Sequence, residues 1–338
     1  MTLREKTVSG LSWSFADNIS THGITFIVGI ILARLLTPEE FGLLGMITIF
    51  IAISTTFIDS GFGAALIRKK DCTDVDYSTV FYFNLFVGFL FFWILFFSSY
   101  SVSRFYDEPE LVRIIQVLAV ILIIDSLAVI QRTILTKRID FKLQTKISVL
   151  ASVFSGATAI VMAFKGFGVW SLVARQISYR AINSFLLWIL NRWRPIFVFS
   201  TASFRELFAF GSKLLVSGLI DTIYRNIYYL IIGKFFSAAE LGFYTRADTF
   251  KNLPSSNLNI IIGRVSYPIL SSIQEDVPRL KKNYQKLIRI TMLITFVLMI
   301  GMAAVAKTMV LALIGEKWLP AVVYLQMLCF VGMFYPLH

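Results

Sequence analysis

The sequence predicts an all-α integral membrane protein, a polytopic helix bundle built from two lobes that are parallel repeats of each other. The first observation is composition: 57% of the 338 residues are hydrophobic and only 15% are charged, whereas soluble domains have roughly 45–50% apolar and about 25% charged residues. The second is a series of apolar stretches long enough to cross a bilayer. The third is a short phrase that recurs two hundred positions along the chain.

The apolar stretches predict about ten membrane-spanning helices of roughly 20 residues each. Their predicted ranges are 12–35, 41–65, 79–102, 112–131, 146–165, 168–190, 208–232, 242–268, 286–306 and 319–337. The connections between them are short. The sequence therefore leaves no room for a separate water-soluble catalytic domain.

The recurring phrase reads ILARLLTPEEFGLL at 31–44 and IIGKFFSAAELGFY at 231–244. Six predicted spans separate the starts of the two copies, and an even number means that both cross the membrane in the same direction. We therefore predict an N-terminal six-helix lobe over 1–195 and a C-terminal lobe over 196–338. Because the second lobe then holds about four helices, we expect it to be incomplete. We interpret Glu40 and Glu240 as structural residues of a tight external turn.

Lys and Arg residues are concentrated on one side of the predicted bundle, in the N-terminal segment and in every second connection after it. Because basic loops stay on the cytoplasmic side of a membrane, the N-terminus is predicted to be cytoplasmic. The formal net charge of +12 then reflects topology and attraction to anionic lipid headgroups. Membrane lipids are predicted partners, and nucleic acid is not.

Polar residues spaced three or four positions apart mark one face of two predicted spans. Span one carries Asp17, Asn18 and Thr21, and span seven carries Asp221 and Arg225. Charges inside a bilayer are costly unless they meet water or a partner. These faces therefore predict a wet cavity between the two lobes.

Span six adds cations without an acid of its own, since it carries Arg175 and Arg180. Together with Arg225, these residues make the predicted cavity cationic. A guanidinium group binds phosphate through two parallel hydrogen bonds. We therefore predict that the three arginines bind an anionic, phosphorylated ligand.

The same arginines have a second interpretation as members of structural ion pairs. Arg225 lies four residues after Asp221, the spacing of a helical ion pair, and the arginines of span six would pair with Asp17 or Asp125. Membrane aspartates also carry protons or sodium ions in transporters. The candidates for coupling to H⁺ or Na⁺ are Asp17, Asp221 and Asp125, and no other cofactor is predicted. Further polar residues predicted to contact substrate are Asn18, Thr21, Gln176 and Asn183.

The sequence lacks the motifs of several function classes. It holds no Walker A motif, no metal-ligand cluster and no G-x-S-x-G motif. Its two cysteines, Cys72 and Cys329, cannot form a disulfide framework. ATP-driven transport by this chain alone is therefore not expected.

Five segments resemble a known family: TLREKTVSGLSWS, LARLLTPEEFGLL, DSGFGAALIRKK, LTKRIDFK and GEKWLPAVVYLQMLC. Taken in order, they resemble the polysaccharide-transporter branch of the MOP flippase superfamily, and within it the Wzx-type exporters of colanic and teichuronic acid. The resemblance implies twelve to fourteen helices in two lobes that alternate between inward-open and outward-open states. It also implies the bacterial inner membrane and, as substrate, oligosaccharide repeat units on polyprenyl pyrophosphate, moved from the cytoplasmic to the periplasmic leaflet.

Two other functions stay open at this point. A MATE-like multidrug antiporter has the same architecture, although its organic cations would fit poorly in a cationic cavity. A membrane-embedded glycosyltransferase or polymerase would use acids in the external loops, namely Glu39, Glu40, Asp107 and Glu108. Other proteins of polysaccharide assembly are further candidate partners, which would contact the charged cytoplasmic loops.

Overall fold

The computed structural model describes residues 3–252 and 276–334. The chain divides into two compact units, Met1–Ala238 and Ala239–His338. The helices of the first unit are α1 (Leu3–Leu35), α2 (Pro38–Asp59), α3 (Phe62–Arg68), α4 (Asp74–Tyr106), α5 (Leu111–Leu118), α6 (Val120–Lys137), α7 (Phe141–Phe164), α8 (Val169–Leu190) and α9 (Thr201–Phe235). α10, described over 238–252, begins at the last residue of the first unit, and the rest of it lies in the second unit. The second unit also contains α11 (Val277–Leu313), a 3₁₀ helix (Glu316–Trp318) and α12 (Ala321–Gly332).

Within the described residues, six helical segments are long and apolar enough to cross a membrane: Pro38–Arg68, Asp74–Tyr106, Leu111–Lys137, Phe141–Phe164, Thr201–Phe235 and Pro278–Leu313. Two more, Ile19–Leu35 and Ala321–Gly332, are apolar but shorter. Apart from short turns, the ten predicted spans coincide with helices wherever the structure describes them. The ends of the eighth and tenth spans, 253–268 and 335–337, lie outside the described residues. The predicted all-α membrane fold is confirmed.

The two copies of the repeated phrase have the same local structure. α1 ends at Leu35 and α9 ends at Phe235, and the next helix begins at 38 in one copy and at 238 in the other. The offset of two hundred residues read from the sequence therefore holds for the helix boundaries. These helix boundaries do not test the predicted division into lobes between residues 195 and 196, which stays a prediction.

The turn of the first copy is a capping box. The Glu40 carboxylate accepts a hydrogen bond from the Thr37 backbone N–H at 2.7 Å, and the Thr37 hydroxyl accepts one from the Glu40 N–H at 3.5 Å. Both bonds satisfy donors that the start of a helix leaves free. In the second copy, Glu240 accepts a hydrogen bond from the Tyr324 hydroxyl. These contacts agree with the structural interpretation of both acids.

Replacing Thr37 by alanine is expected to lower the free energy of unfolding by about 1 kcal/mol, because the side-chain acceptor of the N-cap is lost. The measurement is thermal or denaturant unfolding of the purified protein in detergent. Thr158→Ala is the matched control, since Thr158 lies inside α7 and its hydroxyl donates to the Phe154 carbonyl of the same helix. An equal loss from both variants would contradict the capping role.

Small residues bring the helices of the first unit close together. α1 packs on α7, α4 on α6, and α8 on both α6 and α7. A Cβ at Gly156 of α7 would lie 2.6 Å from a methyl group of Val28, and one at Gly88 of α4 would lie 2.8 Å from the Ser126 side chain. Close approach through small residues is how helices associate in lipid, where the hydrophobic effect between helices is weak.

The second span is broken by a turn at Ser60 and Gly61. Both residues have positive φ, 47° and 68°, so α2 ends and α3 begins in a new direction. A Cβ at Gly61 would overlap the backbone carbonyl of Gly211 in α9. Only glycine combines a left-handed conformation with such an approach. The turn therefore rests directly on the backbone of α9.

The second unit packs around Trp318, which is fully buried. Its ring meets Phe243 of α10 edge to face, with centroids 6.0 Å apart, a favourable geometry for aromatic pairs. α11 packs on α12, where Gly332 lies beside Met299. The buried Lys251 of α10 pairs with Asp248 at 2.6 Å. The buried ammonium group of Lys251 is therefore neutralised by an acid one helical turn away.

Candidate functional site

A cavity of about 590 Å³ lies in the first unit, between α2, α8 and α9. The α2 residues that line it are three or four positions apart, and so are those of α9, so each helix contributes one face. The polar lining residues are Thr48, Thr55, Thr56, Asp59, Gln176, Arg180, Asp221, Thr222, Arg225 and Asn226. The cavity therefore offers two guanidinium groups, two carboxylates and several neutral hydrogen-bonding groups to a ligand.

Arg180 reaches the cavity from α8 and pairs with an acid behind it. Its Nη1 donates a hydrogen bond to Asp125 Oδ1 of α6 at 3.0 Å. The Asp125 side chain is 7% exposed, whereas that of Arg180 is 35% exposed. The ion pair thus fixes Arg180 from the protein side and leaves part of the guanidinium open to the cavity.

Arg225 and Asp221 form the second ion pair of the cavity, on α9. Arg225 Nε donates to Asp221 Oδ1 at 2.8 Å across one helical turn. Both side chains are more than half exposed, and exposed helical pairs of this kind contribute little stability. The ion-pair interpretation is therefore correct for the geometry of Arg180 and Arg225. Their role in binding stays a prediction.

A further cation, the exposed Arg132 of α6, acts electrostatically on several acids. It donates to the Asn183 side-chain oxygen at 3.3 Å, and its charge acts on Asp17, Asp59 and Asp125. The charge of one guanidinium therefore acts on carboxylates of three different helices.

The cavity ends where α2 meets α9. The hydroxyls of Thr56 and Thr222 are hydrogen-bonded at 3.0 Å, and Gly218 lies beside the Thr56 methyl group. One further turn along α2, the Ser60–Gly61 turn contacts the α9 backbone as described above. α2 and α9 are thus joined by neutral contacts at this end, without a charged pair across them in the described residues.

Lys69, just after α3, links three elements beyond that contact. Its ammonium group donates to Asp76 of α4 at 3.1 Å and to Glu206 of α9 at 2.9 Å. The hydrogen bond to Glu206 and the charge of Asp76 raise the pKa of Lys69, against the opposing effect of burial. A raised lysine pKa stabilises the fold below the ordinary value of 10.5, and this contribution is lost as the pH rises through the raised pKa.

Replacing Lys69 by methionine is expected to cost about 1–3 kcal/mol of unfolding free energy, because Asp76 is buried and loses its cation. Glu206→Gln is the matched variant, and it should cost less than about 1 kcal/mol because Glu206 is exposed. Chemical unfolding of both variants at neutral pH checks the difference. Equal costs would show that the buried acid does not depend on Lys69.

The other predicted site residues lie outside the cavity lining. Arg175 donates to the Thr25 backbone carbonyl of α1 at 3.3 Å, and Thr21 donates to Asp17 at 3.2 Å within α1. Asn183 is buried and accepts its bond from α6, as described above. The Asn18 side chain lies outside the described part of the chain. Of the predicted residues, the cavity therefore brings together Gln176, Arg180, Asp221 and Arg225.

The sequence interpretation missed several polar groups of the site. Asp59 lines the cavity, as do Thr222 and Asn226, and the charge of Arg132 acts on Asp59. The signal for Asp59 was its spacing from Thr55 and Thr48 on one face of the second span. The predicted span ends at residue 131, which places Arg132 in the connection that follows. In the structure α6 extends to Lys137, so Arg132 lies within the helix.

Comparisons with known proteins show to which family the chain belongs. The family model described as "Polysaccharide biosynthesis protein" matches residues 31–323. The chain is 31% identical over 336 residues to the teichuronic acid biosynthesis protein TuaB of Bacillus subtilis (strain 168), covering 98% of this chain and 69% of TuaB. It is 28% identical to the lipopolysaccharide biosynthesis protein WzxC of Escherichia coli (strain K12), covering 98% of this chain and 68% of WzxC.

Solved structures show the same fold. The lipid II flippase MurJ in an inward closed conformation superposes with a TM-score of 0.76 at 14% identity, covering 96% of this chain and 73% of MurJ. An inward-facing MATE multidrug transporter of the MOP superfamily gives a TM-score of 0.66 at 15% identity, covering 94% and 78% of the two chains. The family match and the identity to TuaB show that the chain belongs to the polysaccharide transporters of the MOP flippase superfamily and is a polysaccharide flippase, not an enzyme.

Proposed function

We propose that the cavity binds the pyrophosphate of a polyprenyl-linked oligosaccharide repeat unit and that the protein moves this lipid from the cytoplasmic to the periplasmic leaflet. The observation that carries the proposal is the convergence of Arg180 and Arg225, from two helices, on one cavity. Guanidinium groups bind phosphate oxygens in bidentate geometry. The names of TuaB and WzxC, both proteins of polysaccharide biosynthesis, support this class of substrate.

The neutral groups of the cavity are suited to sugar hydroxyls. Gln176, Thr222 and Asn226 offer donors and acceptors beside the arginines, so the pyrophosphate and the first sugar can be held together while the prenyl chain stays in the bilayer. A second conformation, in which α1 and α8 turn other side chains towards the cavity, would add contacts. We propose that it adds Asn18, Thr21 and Asn183 as sugar contacts and Arg175 as a phosphate ligand.

The location and orientation are part of the same proposal. The excess of Lys and Arg in alternate connections supports a bacterial inner-membrane protein with a cytoplasmic N-terminus. Membrane lipids and other proteins of polysaccharide assembly are the proposed partners. No cofactor is proposed beyond a coupling ion, H⁺ or Na⁺, bound at Asp17, Asp125 or Asp221. Such an ion drives transport only if its affinity differs between the two conformations.

Mass spectrometry of polyprenyl-pyrophosphate sugars tests the function in cells with and without the gene. We expect the complete repeat unit to accumulate when the gene is deleted, because its synthesis continues on the cytoplasmic leaflet while its export stops. A unit lacking one sugar would point to a glycosyltransferase instead. An unchanged lipid pool with altered drug sensitivity would favour an antiporter.

A further inference from the structure

The two arginine–aspartate pairs of the cavity differ in how deeply the acid is buried. The Asp125 side chain is 7% exposed, whereas the Asp221 side chain is 57% exposed. An exposed carboxylate remains solvated when its partner leaves, so the exchange costs little. A buried carboxylate that loses its cation becomes an uncompensated charge. The two pairs therefore respond differently when an anion takes their arginine.

Asp125 is already short of partners in the observed structure. Arg180 satisfies Oδ1, but Oδ2 is buried and has no hydrogen-bond partner within the described residues. The one hydrogen bond to Arg180 is thus the main contact that holds a negative charge at this position. A ligand anion that draws Arg180 into the cavity would break this hydrogen bond.

The charged groups around Asp125 come from three helices. α8 supplies Arg180, α6 itself supplies Arg132, and α2 supplies Asp59, whose charge acts on Arg132. Other described contacts of α6 involve Gly88 of α4, Phe62 of α3 and Ile147 of α7. The charged Lys137 of α6 donates to the Leu66 carbonyl of α3, about three helical turns from Asp125. The negative charge of Asp125 is therefore compensated by two arginines, Arg180 and Arg132.

Arg132 is a weaker counter-ion for Asp125 than Arg180, because in the described structure its guanidinium donates to Asn183 and not to the Asp125 carboxylate. Its charge already acts on Asp17 and Asp59 as well as on Asp125. With Arg180 in place, two arginines face three carboxylates. Without it, a single arginine faces all three, and a second buried negative charge near it is disfavoured by burial and by repulsion between like charges.

We infer that Asp125 takes up a proton when the ligand anion takes Arg180, so that anion binding is coupled to the uptake of one proton. In this exchange Arg180 keeps its charge and moves its hydrogen bond from Asp125 Oδ1 to a phosphate oxygen. A proton from water bonds to a carboxylate oxygen of Asp125, and no electrons are transferred. The inference rests on the proposed function, because it requires a phosphate anion in the cavity. It makes Asp125 a positioning residue that acts through Arg180.

Coupling of this kind is reciprocal. If the anion draws in one proton, protons in turn favour binding of the anion, and its affinity falls about tenfold for each unit of pH over the range where the uptake is complete. The α9 pair predicts no such dependence, since the Asp221 side chain is 57% exposed and remains solvated when Arg225 leaves it.

The test is calorimetric titration of the full chain in lipid nanodiscs with geranyl glucosyl pyrophosphate, a diester whose phosphates carry no proton near neutral pH. Repeating the titration in Hepes and in Tris, which differ in ionisation enthalpy, gives the number of protons taken up per ligand. We expect about one for the unmodified protein. Asp125→Asn should bind the probe with proton uptake close to zero. Asp71→Asn, which changes an exposed acid outside the cavity lining, should keep the uptake of the unmodified protein.

An infrared difference spectrum of the unmodified protein gives a second measurement that needs no variant to fold. Adding the probe should produce the carbonyl stretch of a newly protonated carboxylic acid. Binding without proton uptake, or uptake that persists in Asp125→Asn, would overturn the inference and leave the proposed phosphate site intact. Absence of binding to the unmodified protein would overturn both.

Discussion

Alanine in place of Arg180 is expected to abolish export of the polysaccharide while the protein still reaches the membrane. The substitution removes a charge-assisted donor from the cavity, a loss of about 2–3 kcal/mol, or roughly 30- to 150-fold in affinity for a pyrophosphate diester. It also leaves Asp125 buried without its cation, which adds a stability cost. Complementation of a deletion strain and calorimetry of the purified protein measure the two effects.

Two matched variants separate these contributions. Arg180→Lys keeps the positive charge and loses the planar fork, so we expect an intermediate affinity. Arg113→Ala removes an exposed arginine of α5, away from the cavity lining, and should complement fully. If Arg180→Ala exported polysaccharide at the normal rate, the phosphate site would have to lie elsewhere.

Valine in place of Gly211 is expected to block transport by preventing the contact between α9 and the Ser60–Gly61 turn. A Cβ at position 211 would lie 2.9 Å from the Ser60 carbonyl oxygen, and the branches of valine extend further. Neither neighbour can yield easily, because both are backbone. Overpacking of this kind costs about 1–3 kcal/mol, so the equilibrium between the observed arrangement and one with α2 and α9 apart should shift by roughly 5- to 150-fold.

Accessibility of the cavity measures that shift. A cysteine placed at Thr222, next to the α2–α9 contact, should react faster with a membrane-impermeant maleimide applied from the cytoplasmic side in the Gly211→Val protein. Gly301→Val is the control, because a Cβ at Gly301 of α11 meets nothing within 4 Å. Normal transport by Gly211→Val would mean that the close approach is incidental to the transport cycle.

The fold was predictable from the sequence because its two main signals are local. Hydropathy alone located the spans, and the repeated phrase predicted equivalent turns two hundred residues apart. The helices before those turns end at 35 and 235, the latter three residues beyond the predicted end of the seventh span at 232. The break at Ser60–Gly61 was missed, because the hydropathy of the second span continues through it. A left-handed turn inside an apolar stretch becomes visible only when the backbone it touches, that of α9, is known.

The site was predictable in part, because spacing shows which residues share a face but not which helices meet. Asp221 and Arg225 are one turn apart, and their pairing followed from the sequence. Arg175 and Arg180 were grouped as two cations of one helix, yet five residues place them about 140° apart on its surface. Arg175 accordingly contacts α1, and Arg180 lines the cavity.

The approach of Gly42 to Ala238 sets a condition on how the two halves of the gene can diverge. A Cβ at Gly42 would overlap the Ala238 carbonyl oxygen, and the two residues belong to the two copies of the repeated phrase. Duplicated segments ordinarily drift independently, each under its own constraints. Here a larger residue in the first copy requires a displaced main chain in the second, so the residue types that fit at position 42 depend on the backbone at position 238.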